Sequence, residues 1–359
     1  METTPSIEQE SRDRVSETAD DFAKAVHEKV KKLVENIKST IYINTNKLEY
    51  IIASLIAGGH VILADTHGVG KTSLARALAG SIKWQKEDMR TGELIVDNFN
   101  RIQCTVDMLP QDILGYNRFV SNTNQMVFHK GPIFAHFVLC DEINLLTPKA
   151  QGSFLQVMQE QAVTVEGRTF DLPGPFFIIA TMNLKGAHLF PLPAPQLDRF
   201  MIRISMGYPD PDDEAEIITK HGRVDAWENF KPVIDSGELL QWQSFVDNVT
   251  IHSDIIDYIV TCVRQTRFHP DVHTGASPRT GVKLSRLARA LSLIRGDNFV
   301  TIDTVKEIFF STVTHRIIMN DPSLEARGFL EEILRAVPVE LRGKKRTRKE
   351  KILGPPDTV

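Results

Sequence analysis

Cysteine is scarce in this sequence. Three thiols in 359 residues, Cys104, Cys140 and Cys262, lie far apart and share no metal-ligand spacing. That pattern excludes a disulfide-stapled scaffold and a zinc module. It points to a reduced, cytoplasmic chain in which Cys140, set in an apolar run, is a buried free thiol. Long apolar runs are missing too. None approaches the roughly 20 residues of a membrane span, and the polar N-terminus has no signal-peptide core, so no membrane insertion is expected. Nor is one sign of charge in excess: Lys and Arg number 42 against 46 Asp and Glu, net −4. Near-neutrality argues against a dedicated nucleic-acid binder. What remains is ordinary globular composition, 42% hydrophobic and 25% charged, in a chain long enough for two domains and a large core.

One stretch, residues 60–80, organises the rest. It reads HVILADTHGVGKTSLARALAG. Val61, Ile62, Leu63 and Ala64 suit a buried parallel strand. Leu74, Ala75, Ala77, Leu78 and Ala79 suit a helix. Between them lie Asp65, Thr66, His67, Gly68, Val69, Gly70, Lys71, Thr72 and Ser73. Strand, glycine loop, Lys-Thr and helix are the parts of a phosphate-binding loop. Its backbone N–H groups and the helix N-terminus face a β-phosphate, Lys71 reaches the β/γ oxygens, and Thr72 offers a hydroxyl to Mg²⁺. The pattern departs at Asp65, which stands five residues before Gly70 where glycine is usual. Asp tolerates unusual backbone because its side chain can close a local turn.

Residues 1–19 are polar and acid-rich, and disorder is expected there. Phe22, Val26, Val30, Leu33 and Ile37 then recur at helical spacing, which gives an amphipathic helix lying on the nucleotide domain. A second helix is expected over residues 48–55. Tyr42, Ile43 and Asn44 before it either flank a nucleotide base or simply pack. Further core strands are expected over residues 101–105, 137–140, 176–180 and 201–204, with helices over 109–114 and 148–159. Two hairpins complete this part. One spans residues 118–128 around a polar Ser-Asn-Thr-Asn turn, and the other spans 163–170 around Glu166-Gly167. Repeated buried strands with intervening helices indicate an α/β parallel sheet, assigned to residues 20–208. Beyond Tyr208-Pro209-Asp210-Pro211 the pattern is helical. Ser277-Pro278 is the N-cap and N1 pair of a helix carrying Leu284, Leu287, Ala288, Leu291 and Ile294. An all-helical lid over residues 209–336 and a basic tail over 337–359 follow. The tail reads as a solvated arm, with a nucleic-acid or acidic partner as the alternative.

Hydrolysis of ATP needs carboxylates as well as a phosphate cradle. Asp141 and Glu142 end a buried strand downstream of Gly-Lys-Thr. There Asp141 would hold Mg²⁺ and Glu142 would orient and polarise the attacking water. Asn183, at the end of another buried strand, would help hold that water or the γ-phosphate. Arg199 and Arg279 are candidate cations for the charge that builds on the phosphoryl oxygens. Arg279 lies in the first turn of its helix, an unfavourable place for a cation unless an anion belongs there.

In order, the segments DTHGVGKTSLARALA, RIQCTVDMLPQDILGY, GPIFAHFVLCDEIN, EQAVTVEGRTFDLPGPFFIIATMN, FPLPAPQLDRF, GYPDPDDEAEII and GASPRT resemble the MoxR branch of the AAA+ ATPases over residues 48–318. The resemblance implies a P-loop AAA+ core with a parallel sheet and a smaller helical lid. It assigns Lys71 and Thr72 to Walker A, Asp141 and Glu142 to Walker B, Asn183 to sensor 1, Arg199 to the arginine finger and Arg279 to sensor 2. It makes the first hairpin the helix-2 insert and the second the pre-sensor-1 insert. It further implies a homo-oligomer, a hexamer, that uses ATP and Mg²⁺ to remodel or mature a client complex. The partner would be a separate protein with a von Willebrand factor A domain. Departures from the pattern are Leu145, Met182 and Leu184 near the hydrolytic motifs, His67 before Gly68, and Ile43-Asn44 before the first helix.

Two other readings compete. A nucleic-acid-associated or restriction-type AAA+ NTPase motor rests on the basic tail alone. No guanine-reading Asn-Lys-x-Asp lies downstream of the loop, and Asn46-Lys47-Leu48-Glu49 is upstream and ends in Glu. An inactive nucleotide-binding scaffold is opposed by the intact Lys71, Asp141, Glu142 and Asn183.

Overall fold

The four apolar residues Val61–Ala64 form β1, and all four are buried. A strand buried on both faces needs neighbours on both edges and layers on both sides. The computed structural model, which describes residues 7–65, 69–122, 124–183, 190–220, 227, 230–321 and 324–338, supplies both. The sheet has five strands in the order β5-β1-β4-β3-β2, where β2 is Asp97–Gln103, β3 is Ala135–Asp141, β4 is Phe177–Met182 and β5 is Ile202–Ile204. Every pairing is parallel, with Ala64 opposite Met182, Ala180 opposite Cys140 and Gln103 opposite Asp141. The residues that follow β1, β3 and β4 therefore emerge along one edge, where open parallel sheets bind their ligands.

Alternate side chains of the strands face opposite ways, and they sort into two apolar clusters. Ile62, Val138, Cys140, Ile178 and Ala180 pack with Ala150, Phe154 and Val157 of the helix α5. Val61, Leu63, Phe137, Leu139 and Ile179 join the other cluster, which also takes in the other large helices. The helices are α1 Ile7–Lys38, α2 Thr45–Ile56, α3 Lys71–Gly80, α4 Pro110–Leu114, α5 Pro148–Glu160, α6 Ala194–Leu197, α7 Pro211–Lys220, α8 Ser236–Phe245, α9 Ser253–Gln265, α10 Pro278–Ile294, α11 Ile302–Val313 and α12 Ala326–Ala336. Among the described residues, no helix is long and apolar enough to cross a membrane.

Three expectations change. The first helix begins at Ile7, so residues 7–19 are helical instead of disordered, and residues 1–6 lie outside the described part. No glycine or proline interrupts residues 7–38, so nothing stops the helix at its last buried turn. Nor does α1 lie on the nucleotide domain alone. Its His27 Nδ1 pairs with the Ile294 carbonyl at the end of α10 (2.9 Å), while Asn36 donates to Ser81 after α3 (3.1 Å). The second strand starts earlier than expected, at Asp97, because an edge strand with one buried residue, Ile102, carries little apolar pattern.

Both hairpins are present, pairing Gly115–Val120 with Gln125–Lys130 and Ala162–Val165 with Arg168–Asp171. Glu166 and Gly167 both have positive φ, 48° and 81°, as a two-residue turn matched to strand twist requires. At the base of the first hairpin, a Cβ on Gly115 would strike the His129 carbonyl and one on Gly131 the Ile113 carbonyl. The two hairpins form one unit. Asn117 Nδ2 donates to Glu166 Oε2 (2.7 Å), and Phe128 stacks on Phe170 with centroids 4.7 Å apart.

Arg295 joins three helices. From the end of α10 it donates to Glu49 of α2 (2.8 and 2.9 Å) and to Glu307 of α11 (2.7 and 2.8 Å), and Tyr50 OH also donates to Glu307 (2.8 Å). The bonds from Arg295 hold the Glu307 carboxyl below its usual value. A depressed carboxyl contributes stability that is present above the unfolded value, 4.5, and is lost as pH falls through the folded one. Melting temperature should therefore drop in wild type below about pH 4.5, and Glu307→Gln should lack that component of the drop. Arg295→Met, which strands two carboxylates, should cost about 2–3 kcal/mol at neutral pH. Superimposable melting curves of wild type and both variants across this range would refute the arrangement.

Candidate active site

Gly70 caps α3 with φ of 83°, a left-handed conformation, and as a glycine it puts no side chain of its own on the helix amides. The first turn of α3 holds no acidic residue. The amide end of α3 therefore fits an anion. Lys71 Nζ donates to the Asp65 carbonyl (3.2 Å), so the lysine lies across the mouth of the loop. Val69 is buried, and Thr72 and Ser73 are half-buried in the first turn. Thr66, His67 and Gly68 lie outside the described residues.

Among the described residues, the partners of the Asp65 carboxylate lie far along the chain. Its carboxylate reaches the chain leaving β5, accepting from Ser205 Oγ (2.5 Å), Met206 N (2.6 Å) and Gly207 N (3.3 Å). Lys47 of α2 donates to the Met206 carbonyl (3.0 Å). Three acceptor bonds to one carboxylate are worth more than conformational freedom at this point, which accounts for an aspartate where glycine is usual.

Asp141 and Glu142 stand at the tip of β3, level with Thr181 of β4. The buried Thr181 hydroxyl donates to Asp141 Oδ1 (2.6 Å) and accepts from the Glu142 amide (2.8 Å). Arg101 of β2 donates to Asp141 Oδ2 (2.6 Å) from a half-exposed position. Glu142 has φ of 59° and opens the single turn Ile143–Leu145. Such backbone is uncommon for a residue with a side chain and tends to mark sites where geometry is imposed by function. Asn144 Nδ2 donates to the Asn183 carbonyl (2.8 Å), which ties the turn after β3 to the end of β4. Asn183 follows Met182, so it stands beside Asp65 at the same sheet edge.

The fold thus brings Asp65, Val69, Gly70, Lys71, Thr72, Ser73, Asp141, Glu142 and Asn183 to one edge. Arg199 and Arg279 belong to other elements. Arg199 follows α6 and donates to the Leu155 carbonyl of α5 (2.5 Å), and Arg279 is exposed in the first turn of α10. Ser277 is the N-cap residue of α10 as expected, but its hydroxyl bonds Asp198 (3.5 Å) instead of the helix amides. Cys140 matches expectation as a buried free thiol, and Cys104 and Cys262 are buried and free as well. Cys104 and Cys140 have their sulfurs 3.2 Å apart, and burial pushes Cys140 well up. Among the described residues, no group of three or more His, Cys, Asp or Glu could hold a metal. A Mg²⁺ site at Thr72 and Asp141 fits the usual pattern, in which few protein ligands are completed by phosphates and water. Sequence reasoning missed Thr181, Ser205 and Arg101, because only the strand register sets them beside the motifs.

Comparison with known proteins agrees with this geometry. Residues 60–202 match the model of the ATPase family associated with various cellular activities (AAA), and residues 264–337 match the AAA lid domain. The chain is 35% identical to the uncharacterised protein YeaC of Bacillus subtilis, over 89% of this chain and 97% of that one. It is 33% identical to Chaperone MoxR1 of Mycobacterium tuberculosis, over 85% and 80%. The chain belongs to the MoxR family of AAA+ ATPases. Protein MoxR of Methylorubrum extorquens is a more distant MoxR relative, 23% identical over 81% of this chain and 88% of that one. A crystal structure of a candidate ATPase from Cytophaga hutchinsonii superimposes with a TM-score of 0.78 at 28% identity, covering 90% of this chain and 98% of that one.

Within this MoxR-family site, Thr181 is the link most open to test. Thr181→Val keeps the shape but leaves the Glu142 amide without its acceptor, at a cost of about 1–3 kcal/mol. Thr181→Ser should restore most of the loss. Urea unfolding of the two variants checks this, and equal stability for Val and Ser would rule the link out.

Proposed function

We propose that this MoxR-family chain binds and hydrolyses ATP and spends the resulting motion on remodelling a client protein complex. The observation that carries the reading is the sheet edge itself, where the open amide end of α3, Lys71 and the Thr181-linked Asp141 and Glu142 stand level. The α3 amides and Lys71 would hold the β- and γ-phosphates. Thr72 and Asp141 would hold Mg²⁺, which when bound neutralises charge on the phosphate oxygens. Glu142, its amide fixed by Thr181, would take the proton of the attacking water, and Asn183 would orient that water. Arg199 and Arg279 would meet the charge that builds on the transferred group, Arg199 from the neighbouring subunit of a ring, taken as a hexamer.

The paired hairpins are the candidate working surface. Tyr116, Phe119, Met126 and Val127 are exposed on the first hairpin, and the second hairpin braces it. Exposed apolar side chains on a stiff ribbon suit contact with a client polypeptide. The client-assisting role, a partner with a von Willebrand factor A domain and a cytoplasmic location are proposed on the MoxR resemblance.

Lys71→Ala should weaken ATP binding, since it removes a cation from the phosphates. Glu142→Gln should bind ATP nearly as wild type and lose turnover, because only water activation is removed. Titration calorimetry and phosphate release check both, and normal turnover in Glu142→Gln would sink the assignment of the strand tip. With that variant as a client trap, replacing residues 122–125 by a Gly-Gly turn should abolish capture, and the same replacement made in wild type should leave melting temperature and ATPase unchanged. A fall of several degrees, with ATPase reduced in step, would make the hairpin part of the core instead.

A further inference from the structure

The segment that carries Arg199 is held by the lid. Lys283, one helical turn after Arg279 on α10, donates to three consecutive carbonyls, those of Asp198, Arg199 (2.7 Å) and Phe200 (3.4 Å). Arg316, in the short turn after α11, reaches the same segment. Its Nε donates to Asp198 Oδ1 (2.8 Å), and its two Nη atoms reach the carbonyls of Met201 (3.3 Å), Asp198 (3.3 Å) and Phe200. Every backbone carbonyl from Asp198 to Met201 thus accepts a bond from a lid cation.

This arrangement is electrostatically expensive. Arg316 is buried and Lys283 half-buried, and Asp198 is the carboxylate that faces both. Burial, with Arg316, Arg279 and Arg199 near, pushes Lys283 down to about 7, and burial pushes Arg316 down to about 10. His315, also buried, is driven well down by burial and by Arg316, Arg203 and Lys283, so it adds no charge. Two buried cations that share one carboxylate and otherwise rest on backbone carbonyls are poor devices for stability, and apolar replacements of buried ionic groups are often neutral or better. Their use here is geometric.

We propose that Lys283 and Arg316 are positioning residues for Arg199, so that the lid of one subunit sets the aim of the arginine it offers to its neighbour's ATP. The proposal rests on the reading of Arg199 as a residue that acts across the ring. Arg279 and Lys283 share one face of α10. A lid drawn toward its own nucleotide through Arg279 would carry Lys283, and with it the 198–201 segment. The occupancy of one site is thereby communicated to the next.

Lys283→Met tests this in the assembled full chain, with co-assembly in mixed rings checked by native mass measurement. The variant should melt within a few degrees of wild type and keep KM for ATP within about twofold, while kcat falls about 10- to 100-fold, the size of effect a misplaced group produces. Mixing assigns the direction. Lys283→Met mixed with Glu142→Gln should recover activity, because intact Glu142 then meets a correctly held Arg199 from the neighbour. Lys283→Met mixed with Arg199→Ala should not recover, because both lack a working arginine. Recovery with Arg199→Ala alone, with both partners or with neither would overturn the proposal, as would a KM rise that accounts for the whole defect. Arg199→Ala mixed with Glu142→Gln is the control. Its failure would refute action of Arg199 in trans, and the relay with it, whereas its success beside a wrong Lys283 pattern would refute the relay alone. If Lys283→Met does not fold, Lys283→Gln serves, with the same outcomes deciding.

Discussion

A single hydroxyl joins the carboxylate of Asp141 to the backbone of Glu142. Thr181 gives its proton to Asp141 and its lone pair to the amide of Glu142, and both bonds exist only because β3 and β4 are parallel and in one register. A slip of one residue would turn Thr181 to the other face. The Asp141 carboxylate and the Glu142 backbone are therefore both set by the alignment of two buried strands. The same alignment puts Asn183 beside Asp65 and brings the turn after β3 within reach of the end of β4 through Asn144.

The loop after β1 is braced from its own other side. Asp65 is bonded to the chain leaving β5, and Lys71 leans back on the Asp65 carbonyl. The site is thus framed by β4 and β3 on one flank and by β5 on the other. Charge is balanced locally: the largely buried Asp141 is met by the half-exposed Arg101.

Much of this was legible in the chain. The phosphate loop, the Asp141-Glu142 strand tip and both hairpins carry dense local signals: Gly-Lys-Thr between an apolar strand and an alanine-rich helix, two acids after a run of buried residues, and a Glu-Gly turn between alternating segments. The parallel sheet followed from those runs. What the sequence did not carry is anything that depends on partners distant along the chain. Asp65 read as an irregularity because its donors lie at Ser205 to Gly207. Thr181 falls just past the strand expected over residues 176–180 and carries no signal of its own. Nothing local singles out Lys283 or Arg316, and only tertiary packing shows that they are drawn inward to backbone carbonyls. The start of α1 was missed for the opposite reason: helical propensity with no apolar stripe resembles a disordered tail.

The second apolar cluster has a mechanical consequence. It runs without a break from Val30 and Leu33 of α1 through Leu63 and Ile179 of the sheet to Leu287 and Leu291 of α10, with α1 strapped to both sides. A close-packed contact of this kind favours shear, the sliding of interdigitated side chains over an ångström or two within their rotamer wells, over a wide separation of the packed faces. A push applied at one end of α10 is carried along a packed helix to the other. The molecule trades amplitude for fidelity, which suits a machine whose parts must report small changes to one another faithfully.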